Sequence, residues 1–182
     1  SSYFCKGGNV YDIGCSTGVL IGKLSEKYEG NFIGLDTSDN LLGKYCPKAD
    51  NITFINQDVF GAKFEPIQLA VSVFTLQFIQ EYKRLSIVKN IYNSLEKGGA
   101  FIVAEKINMQ SGFMQDIFTF CHYDYKHKSF TSQDIMGKQF ALRKIMRPST
   151  EQGNIEMFKT AGFQHIECFW QSLLFKAWVC IK

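Results

Sequence analysis

The stretch NVYDIGCSTGVL, residues 9–20, decides the fold class of this chain. An apolar run ends at Asp12, the chain turns through Gly14 and Gly18, and a helical pattern follows. This order is typical of the first strand–turn–helix unit of a parallel sheet that binds a nucleotide. A dinucleotide fingerprint requires Gly-x-Gly-x-x-Gly, whereas Ser16 replaces its middle glycine and a valine its last. A side chain at Ser16 would crowd a pyrophosphate, so the turn favours an adenosine ligand without phosphate.

The composition predicts one globular domain that spans residues 1–182, because 46% of the residues are hydrophobic and 20% are charged. The net charge of +3 is too small to indicate direct nucleic-acid binding. No apolar run approaches the roughly 20 residues of a membrane span, so we expect no membrane partner. Six cysteines without Cys-x-x-Cys spacing argue against a metal site. With no signal peptide visible, reduced thiols in the cytoplasm are the expectation.

Alternating apolar and amphipathic runs predict the fold. Strands are expected at 10–13, 32–35, 52–55, 68–74 and 100–106, with helices at 18–28, about 38–45 and 83–95. Two final runs, 165–170 and 173–181, have no room for a helical crossover and predict an antiparallel hairpin. The expected fold is α/β and Rossmann-like: a mostly parallel, seven-stranded sheet with a C-terminal antiparallel hairpin and helices on both faces. The aromatic segment 109–147 is predicted to form a helical cap over the site.

Carboxylates follow the first three predicted strands, at the edge where open α/β sheets bind their ligands. Asp36 ends the second strand, 18 residues after Gly18, where an acid accepts both ribose hydroxyls of an adenosine. Asp58 is placed to accept from an adenine amino group, and Asp12 to meet a cationic amino group. S-adenosylmethionine, a phosphate-free adenosine with a sulfonium and an ammonium, fits this set. The alternative is that the acids are solvated strand ends or helix caps.

Several strings of the sequence resemble the class I S-adenosylmethionine-dependent methyltransferases: VYDIGCSTG, IGLDTS, FINQDVF and LEKGGAFIVAEK. Within that superfamily the chain is most similar to the carboxy-S-adenosyl-L-methionine synthases, on the strings VFTLQFI, HYDYK and KTAGFQHIECFWQ. The resemblance implies a homodimer that converts S-adenosylmethionine and prephenate into a carboxylated sulfonium, which later serves to modify wobble uridine in tRNA. It also implies cofactor contacts at Gly14, Cys15, Ser16, Asp36, Thr37, Asp58 and Val59. Asp12, Gly18 and Val73 complete the candidate cofactor set.

The chain departs from that family at two positions. The arginine that holds the carboxylate of the modified cofactor in the family aligns with Gln139, and an asparagine beside the cofactor aligns with Val73. A neutral amide supplies neither a charge nor a bidentate fork. Arg143, one helical turn further on, is a possible substitute. We interpret the departures as a retained cofactor with changed chemistry.

The leading hypothesis is therefore an S-adenosylmethionine-dependent methyltransferase with an unknown acceptor. His122 and Tyr123 fall in the segment that covers the crevice in this fold, and with Gln139 and Arg143 they are the candidate substrate contacts. No catalytic residue is assigned, because positioning supplies most of an in-line displacement. Two alternatives stay open: a carboxy-S-adenosyl-L-methionine synthase, and a non-catalytic S-adenosylmethionine-binding module.

Overall fold

A computed structural model describes residues 3–46 and 49–182 of the chain as an α/β fold around one sheet. The strands are β1 (Asn9–Ile13), β2 (Asn31–Asp36), β3 (Ile52–Asn56), β4 (Ile67–Val73), β5 (Leu95–Asn108), β6 (Ser149–Thr150), β7 (His165–Ser172) and β8 (Phe175–Ile181). The helices are α1 (Val19–Ser25), α2 (Glu81–Ser94), α3 (Gly112–His127), α4 (Ser132–Arg143) and α5 (Glu151–Ala161), with a short 3₁₀ helix at Leu76–Phe78.

The sheet has the order β3-β2-β1-β4-β5-β8-β7, and the two-residue β6 pairs beside it with β5. The strands from β3 to β5 run parallel, whereas β8 is antiparallel to both β5 and β7. This arrangement confirms the Rossmann-like sheet and its C-terminal hairpin. The short β6 is an addition to the seven predicted strands.

Helices cover both faces of the sheet because neighbouring strand residues point to opposite sides. Val10 packs in a cluster with Ile21 of α1, whereas Tyr11 packs in a second cluster with α2 and α5. The second cluster includes Ile91 and the fully buried Phe158. None of the described helices is long and apolar enough to cross a bilayer.

The helix expected at about 38–45 is wrong, since this segment forms turns. Gly43 adopts a φ of 66°, in the left-handed region that ends regular helical geometry. Its N–H donates to the Ser16 carbonyl over 3.2 Å, and the Tyr45 N–H donates to the Thr17 carbonyl over 3.0 Å. Two N–H groups of the segment therefore bond to the glycine turn, whereas other bonds stay within the segment, such as that from the Leu42 N–H to the Ser38 carbonyl over 3.0 Å.

Helices α3 and α4, called the helical pair below, lie on the surface. No residue of α3 is buried, and Ile135 is the buried residue of α4. The pair leaves the sheet and returns to it at one place, because Ile107 and Asn108 of β5 pair with Ser149 and Thr150 of β6. The segment that connects β5 to β6 therefore begins and ends at neighbouring residues of the sheet.

Candidate functional site

A cavity of about 520 Å³ opens at the carboxyl edge of the parallel strands. This volume lies within the roughly 300–1,000 Å³ of small-molecule sites. Its walls come from the turn after β1, the ends of β2 and β3, and the connection from β4 to α2. The lining residues are Gly14, Ser16, Leu35, Asp36, Thr37, Gln57, Asp58, Val59, Val73, Phe74, Thr75, Phe78, Ile79, Gln80 and Lys83.

The turn after β1 is held against β2 by its backbone. The N–H groups of Gly14 and Cys15 both donate to the Leu35 carbonyl, over 2.8 and 3.0 Å. Gly14 has a φ of 76°, and a Cβ added there would overlap the Thr75 hydroxyl. Ser16 also has a positive φ, of 48°, although it is not glycine. Strain of this kind persists where the surroundings fix the backbone, as at binding sites.

Asp36 lies at the end of β2 and joins the turn to the next loop. Its Oδ2 accepts from the Ser16 N–H over 2.8 Å, and its Oδ1 accepts from the Ser38 N–H over 2.9 Å. Each carboxylate oxygen has a second lone pair. Asp36 therefore holds the turn while it still presents acceptors to the cavity, beside Thr37.

Asp58 and Val59 form the wall beyond β3. Asp58 Oδ1 accepts from the Phe60 N–H over 2.9 Å, which leaves Oδ2 available to a ligand. The Lys83 ammonium lies 4.7 Å from the centroid of the Phe60 ring, on the same side of the cavity. The end of the cavity at β3 thus combines an acceptor, an apolar side chain and a cation.

Asp12 is the one acid of the predicted set that does not line the cavity. Its side chain is 3% exposed, and Oδ2 has no hydrogen-bond partner. Burial, followed by repulsion from Asp36, raises the pKa of Asp12 to about 7. An unpartnered buried carboxylate oxygen is costly. A ligand ammonium or another donor would supply the missing partner, so this group fits a cationic ligand.

Glu105 of β5 also supports the site, although the sequence pattern did not predict this role. Its Oε1 accepts from the N–H groups of Thr75 and Leu76 over 3.2 and 2.8 Å, and its Oε2 accepts from the Gln77 N–H over 3.0 Å. The Thr75 hydroxyl donates to the Ile13 carbonyl over 3.0 Å. Glu105 therefore fixes the connection after β4 against the glycine turn.

Burial raises the pKa of Glu105 to about 7, although three backbone hydrogen bonds and the Arg84 charge oppose the rise. The sequence holds a signal for this residue. In AFIVAEK, residues 100–106, an acid follows five uncharged residues of a strand predicted to be buried. A buried acid requires donors, and here the first N–H groups of the 3₁₀ helix supply them.

The candidate cofactor residues of the turn differ in exposure. Ser16 reaches the cavity, whereas Cys15 and Gly18 are buried and do not line it. Burial raises the pKa of the Cys15 thiol to about 12, so the thiol stays protonated at neutral pH and is a poor nucleophile. Cys15 therefore packs as a small apolar residue inside the turn.

None of the four candidate substrate residues lines the cavity. The His122 ring lies 5.3 Å from the Phe175 ring, which in turn lies 5.5 Å from the Phe74 ring of the cavity wall. Tyr123 and Gln139 are half-buried, and Arg143 is exposed. Their roles in substrate binding stay predictions.

Comparison with known proteins identifies the family. A family model described as a methyltransferase domain matches residues 10–99. The carboxy-S-adenosyl-L-methionine synthase of Staphylococcus epidermidis is 35% identical over 179 residues, which cover 96% of this chain and 78% of the relative. That of Sulfurimonas denitrificans is 33% identical, with 97% and 78% covered. The chain belongs to the carboxy-S-adenosyl-L-methionine synthase family.

Solved structures at low identity share the fold of this synthase-family chain. Human N-acetylserotonin methyltransferase, in complex with S-adenosylmethionine, superposes with a TM-score of 0.66 at 14% identity, covering 96% of this chain and 47% of the other. The cyclopropane synthase of Mycobacterium tuberculosis superposes with a TM-score of 0.68 at 16% identity, covering 90% and 58%. The family and the fold together make the chain an S-adenosylmethionine-dependent transferase.

Proposed function

We propose that the chain binds S-adenosylmethionine in the cavity and transfers its methyl group to an acceptor. The supporting observation is the unpartnered Oδ2 of Asp12 beneath a cavity that Asp36 and Asp58 line. Three carboxylates around one crevice suit a ligand that has hydroxyl and amino donors and a positive charge.

We infer a placement of the ligand from the order of the strands. The adenine lies at Asp58 and Val59, and the ribose hydroxyls donate to Asp36 beside Thr37. The amino acid end lies at the turn, where Asp12 meets the ammonium. The sulfonium then points toward the end of β4, at Val73. Gly14, Cys15, Ser16 and Gly18 shape the turn that holds the ligand.

The residues that line the cavity favour methyl transfer over carboxylation. Among them, in the described part of the chain, Lys83 is the one cationic side chain, and it lies at the Asp58 end beside Phe60. A carboxylated sulfonium would need a cation at the other end. The predicted arginine position holds Gln139, which lies outside the cavity wall.

Methyl transfer from a sulfonium is an in-line displacement. The acceptor atom attacks the methyl carbon, the bond from carbon to sulfur breaks, and its electron pair stays on the sulfur of S-adenosylhomocysteine. Holding the acceptor in line supplies most of the catalysis. All six cysteines are free thiols, which fits a reaction in a reducing cytoplasm.

The second candidate is carboxy-S-adenosyl-L-methionine synthesis. It is favoured by the 35% identity to the Staphylococcus epidermidis synthase, which extends over 96% of this chain. In this case the product would serve the modification of wobble uridine in tRNA, as the resemblance implies. The reaction would require a cation other than the lining Lys83 at the carboxylate.

Mass spectrometry separates the two candidates. Purified protein is incubated with methyl-labelled S-adenosylmethionine, once with fractionated cell extract and once with prephenate. Labelled acceptor together with S-adenosylhomocysteine supports methyl transfer. Formation of the carboxylated sulfonium from prephenate contradicts the leading proposal and supports the second candidate.

A matched pair of variants sharpens this test. If the neutral amide at position 139 prevents carboxylation, Gln139→Arg introduces the carboxylated product, whereas Arg143→Gln leaves the product unchanged. Carboxylation by the wild-type chain that disappears in Arg143→Gln would instead assign the cation to Arg143.

A further inference from the structure

Arg84 of α2 is a buried cation that bridges two separate segments of the backbone. Its side chain is 4% exposed and does not line the cavity. Its Nε donates to the Ile79 carbonyl over 2.8 Å, and its Nη2 donates to the Arg147 carbonyl over 2.6 Å. Ile79 belongs to the wall of the cavity, whereas Arg147 lies between α4 and β6. One guanidinium thus joins the cavity wall to the segment through which the helical pair returns to the sheet.

The backbone of Arg147 is held at both of its polar groups. Its N–H donates to the Gln77 carbonyl over 2.7 Å, while its carbonyl accepts from Arg84. Arg147 itself is exposed, so the attachment is made by its backbone and not by packing of its side chain. Two hydrogen bonds, one to the connection after β4 and one from α2, therefore fix the chain just beyond the helical pair.

Gln77 also holds the chain on the other side of the helical pair. Its side chain is buried, and its Oε1 accepts from the Lys106 N–H of β5 over 3.1 Å. Its Nε2 donates to the Phe74 carbonyl over 3.4 Å. The segments that lead to and from the helical pair are thus both bonded to residue 77, in the connection between β4 and α2.

This connection, residues 74–80, also forms one wall of the cavity. Three of its consecutive N–H groups donate to the Glu105 carboxylate, so its backbone is restrained as one unit. Phe74, at its start, adopts a φ of 57°, in the left-handed region that a bulky residue rarely occupies. Such strain persists where the surroundings fix the backbone. The connection therefore faces the ligand on one side and the ends of the helical pair on the other.

The burial of Arg84 favours a role in positioning over a role in stability. Burial lowers the pKa of Arg84, although the charges of Glu81 and Glu105 oppose this change. Within the described residues, no carboxylate lies at ion-pair distance from Arg84. A buried charge adds little net stability, whereas the planar guanidinium fixes the direction of each hydrogen bond it donates.

We propose that Arg84 is a positioning residue that couples the helical pair to the occupancy of the cofactor cavity. Ligand contacts with Phe74 and Ile79 order the connection after β4, and the hydrogen bonds to Arg147 extend this order to the end of α4. The coupling rests on the proposed binding of S-adenosylmethionine in this cavity. It is reciprocal, so any molecule that orders the helical pair also tightens the binding of the cofactor.

Hydrogen–deuterium exchange measures this coupling without the second substrate. Wild-type protein is compared with and without saturating S-adenosylhomocysteine, and calorimetry on the same sample measures the binding. We expect the amides of residues 112–143 to exchange about tenfold more slowly when the ligand is bound. The amides of the glycine turn, residues 14–18, should be slowed as well, because the turn contacts the ligand directly.

Two variants of Arg84 and a matched control assign the coupling. Arg84→Met removes both hydrogen bonds, and Arg84→Lys retains the charge without the planar fork. In both variants we expect the ligand to slow exchange in the turn but no longer in residues 112–143. Lys182→Met is the control, because Lys182 Nζ also donates to two carbonyls, those of Asn93 and Leu95, away from the cavity. This control should retain the tenfold slowing.

The ratio of exchange rates with and without ligand separates positioning from stability, because a general loss of stability raises both rates. Slowing that is confined to the turn in the wild-type chain overturns the coupling, although the cofactor site stands. Slowing of residues 112–143 that persists in Arg84→Lys or Arg84→Met overturns it too, and Arg84→Lys decides this point if Arg84→Met does not fold. Absence of S-adenosylhomocysteine binding in calorimetry instead overturns the proposed cofactor site, and the coupling with it.

Discussion

The turn region around the cavity and the helical pair differ in how their polar and apolar groups are satisfied. Around the cavity, Asp36 and Glu105 each bond to backbone N–H groups, and buried strands support them. In the helical pair, α3 buries no residue, and large apolar side chains such as Phe120 are exposed. Asp36 and Glu105 are thus bonded within the chain, whereas the helical pair leaves large apolar side chains exposed.

The largest expected effect is a loss of cofactor affinity at the cavity. Asp36→Asn removes the charged acceptor of two ribose hydroxyls, and we expect the dissociation constant of S-adenosylmethionine to rise about 100-fold. Calorimetry measures this change. Asp39→Asn, on the same loop, is the control, because Asp39 bonds to Asn56 and does not line the cavity. Equal losses in both variants would show that the loop, and not the ribose contact, matters.

Glu105→Gln tests the support behind the cavity. The amide retains one acceptor oxygen but places N–H groups against backbone donors, so we expect a cost of roughly 1–3 kcal/mol in the free energy of unfolding. S-adenosylmethionine affinity should fall about tenfold as the Thr75 connection loosens. Urea unfolding and calorimetry on the same sample separate the two effects. Unchanged affinity with reduced stability would make Glu105 a purely structural residue.

Asp12 adds a pH dependence to the cavity side. Its pKa is about 7 in the folded chain against 3.8 without burial, so the folded state holds the proton more tightly. The free energy of unfolding without ligand therefore falls as pH rises from about 4 to about 7. Glu105, raised to about 7 from 4.5, acts in the same direction. We expect Asp12→Asn to reduce this fall by roughly half, as measured by urea unfolding at several pH values.

The affinity for S-adenosylmethionine should depend on pH in the opposite direction from the free energy of unfolding. Ionised Asp12 pairs with the ammonium, so S-adenosylmethionine affinity rises between about pH 6 and pH 7.5 in the wild-type chain. Asp12→Asn should bind more weakly and without this rise, whereas exposed Asp50→Asn should behave as wild type. A rise that persists in Asp12→Asn would assign the dependence to another group.

The smallest expected effect concerns self-association through the helical pair. The resemblance implies a homodimer, and we expect the exposed aromatic side chains of the helical pair to lie at its contact. Phe120→Glu, at a side chain 65% exposed, should weaken association about tenfold in analytical ultracentrifugation. Tyr82→Glu, at a similarly exposed position of α2, should have no effect. A monomeric wild-type chain would contradict the expectation.

The sequence predicted the sheet and the cavity well because short-range patterns encode them. The turn at Gly14 and the acids at the ends of β1 to β3 follow from the strand pattern, and the structure brings Asp36 and Asp58 to one cavity. Glu105 was missed because its role depends on donors almost thirty residues away, Thr75 to Gln77. The turns at 38–45 were missed because tertiary bonds to Ser16 and Thr17 override a helical pattern.

The candidate contacts to the second substrate were less predictable than the cofactor cavity, for a physical reason. Gln139 was selected by alignment and Arg143 because it lies one helical turn further on, yet exposed helices place side chains by contacts that the chain alone does not provide. Only the register of β5 with β8 brings Lys106 opposite Phe175, whose ring contacts Phe74 of the cavity wall. Long-range pairing, not local composition, creates this part of the surface.

The meeting of β5 and β6 has an evolutionary consequence. Because Asn108 and Thr150 are neighbours, everything between them is an insert whose removal or replacement would leave the ends of the sheet in place. We expect the cavity to tolerate mutations in α3 and α4, because no residue of either helix lines it. A chain built in this way can change its second substrate through mutations in this one segment, while the residues that bind the cofactor stay the same.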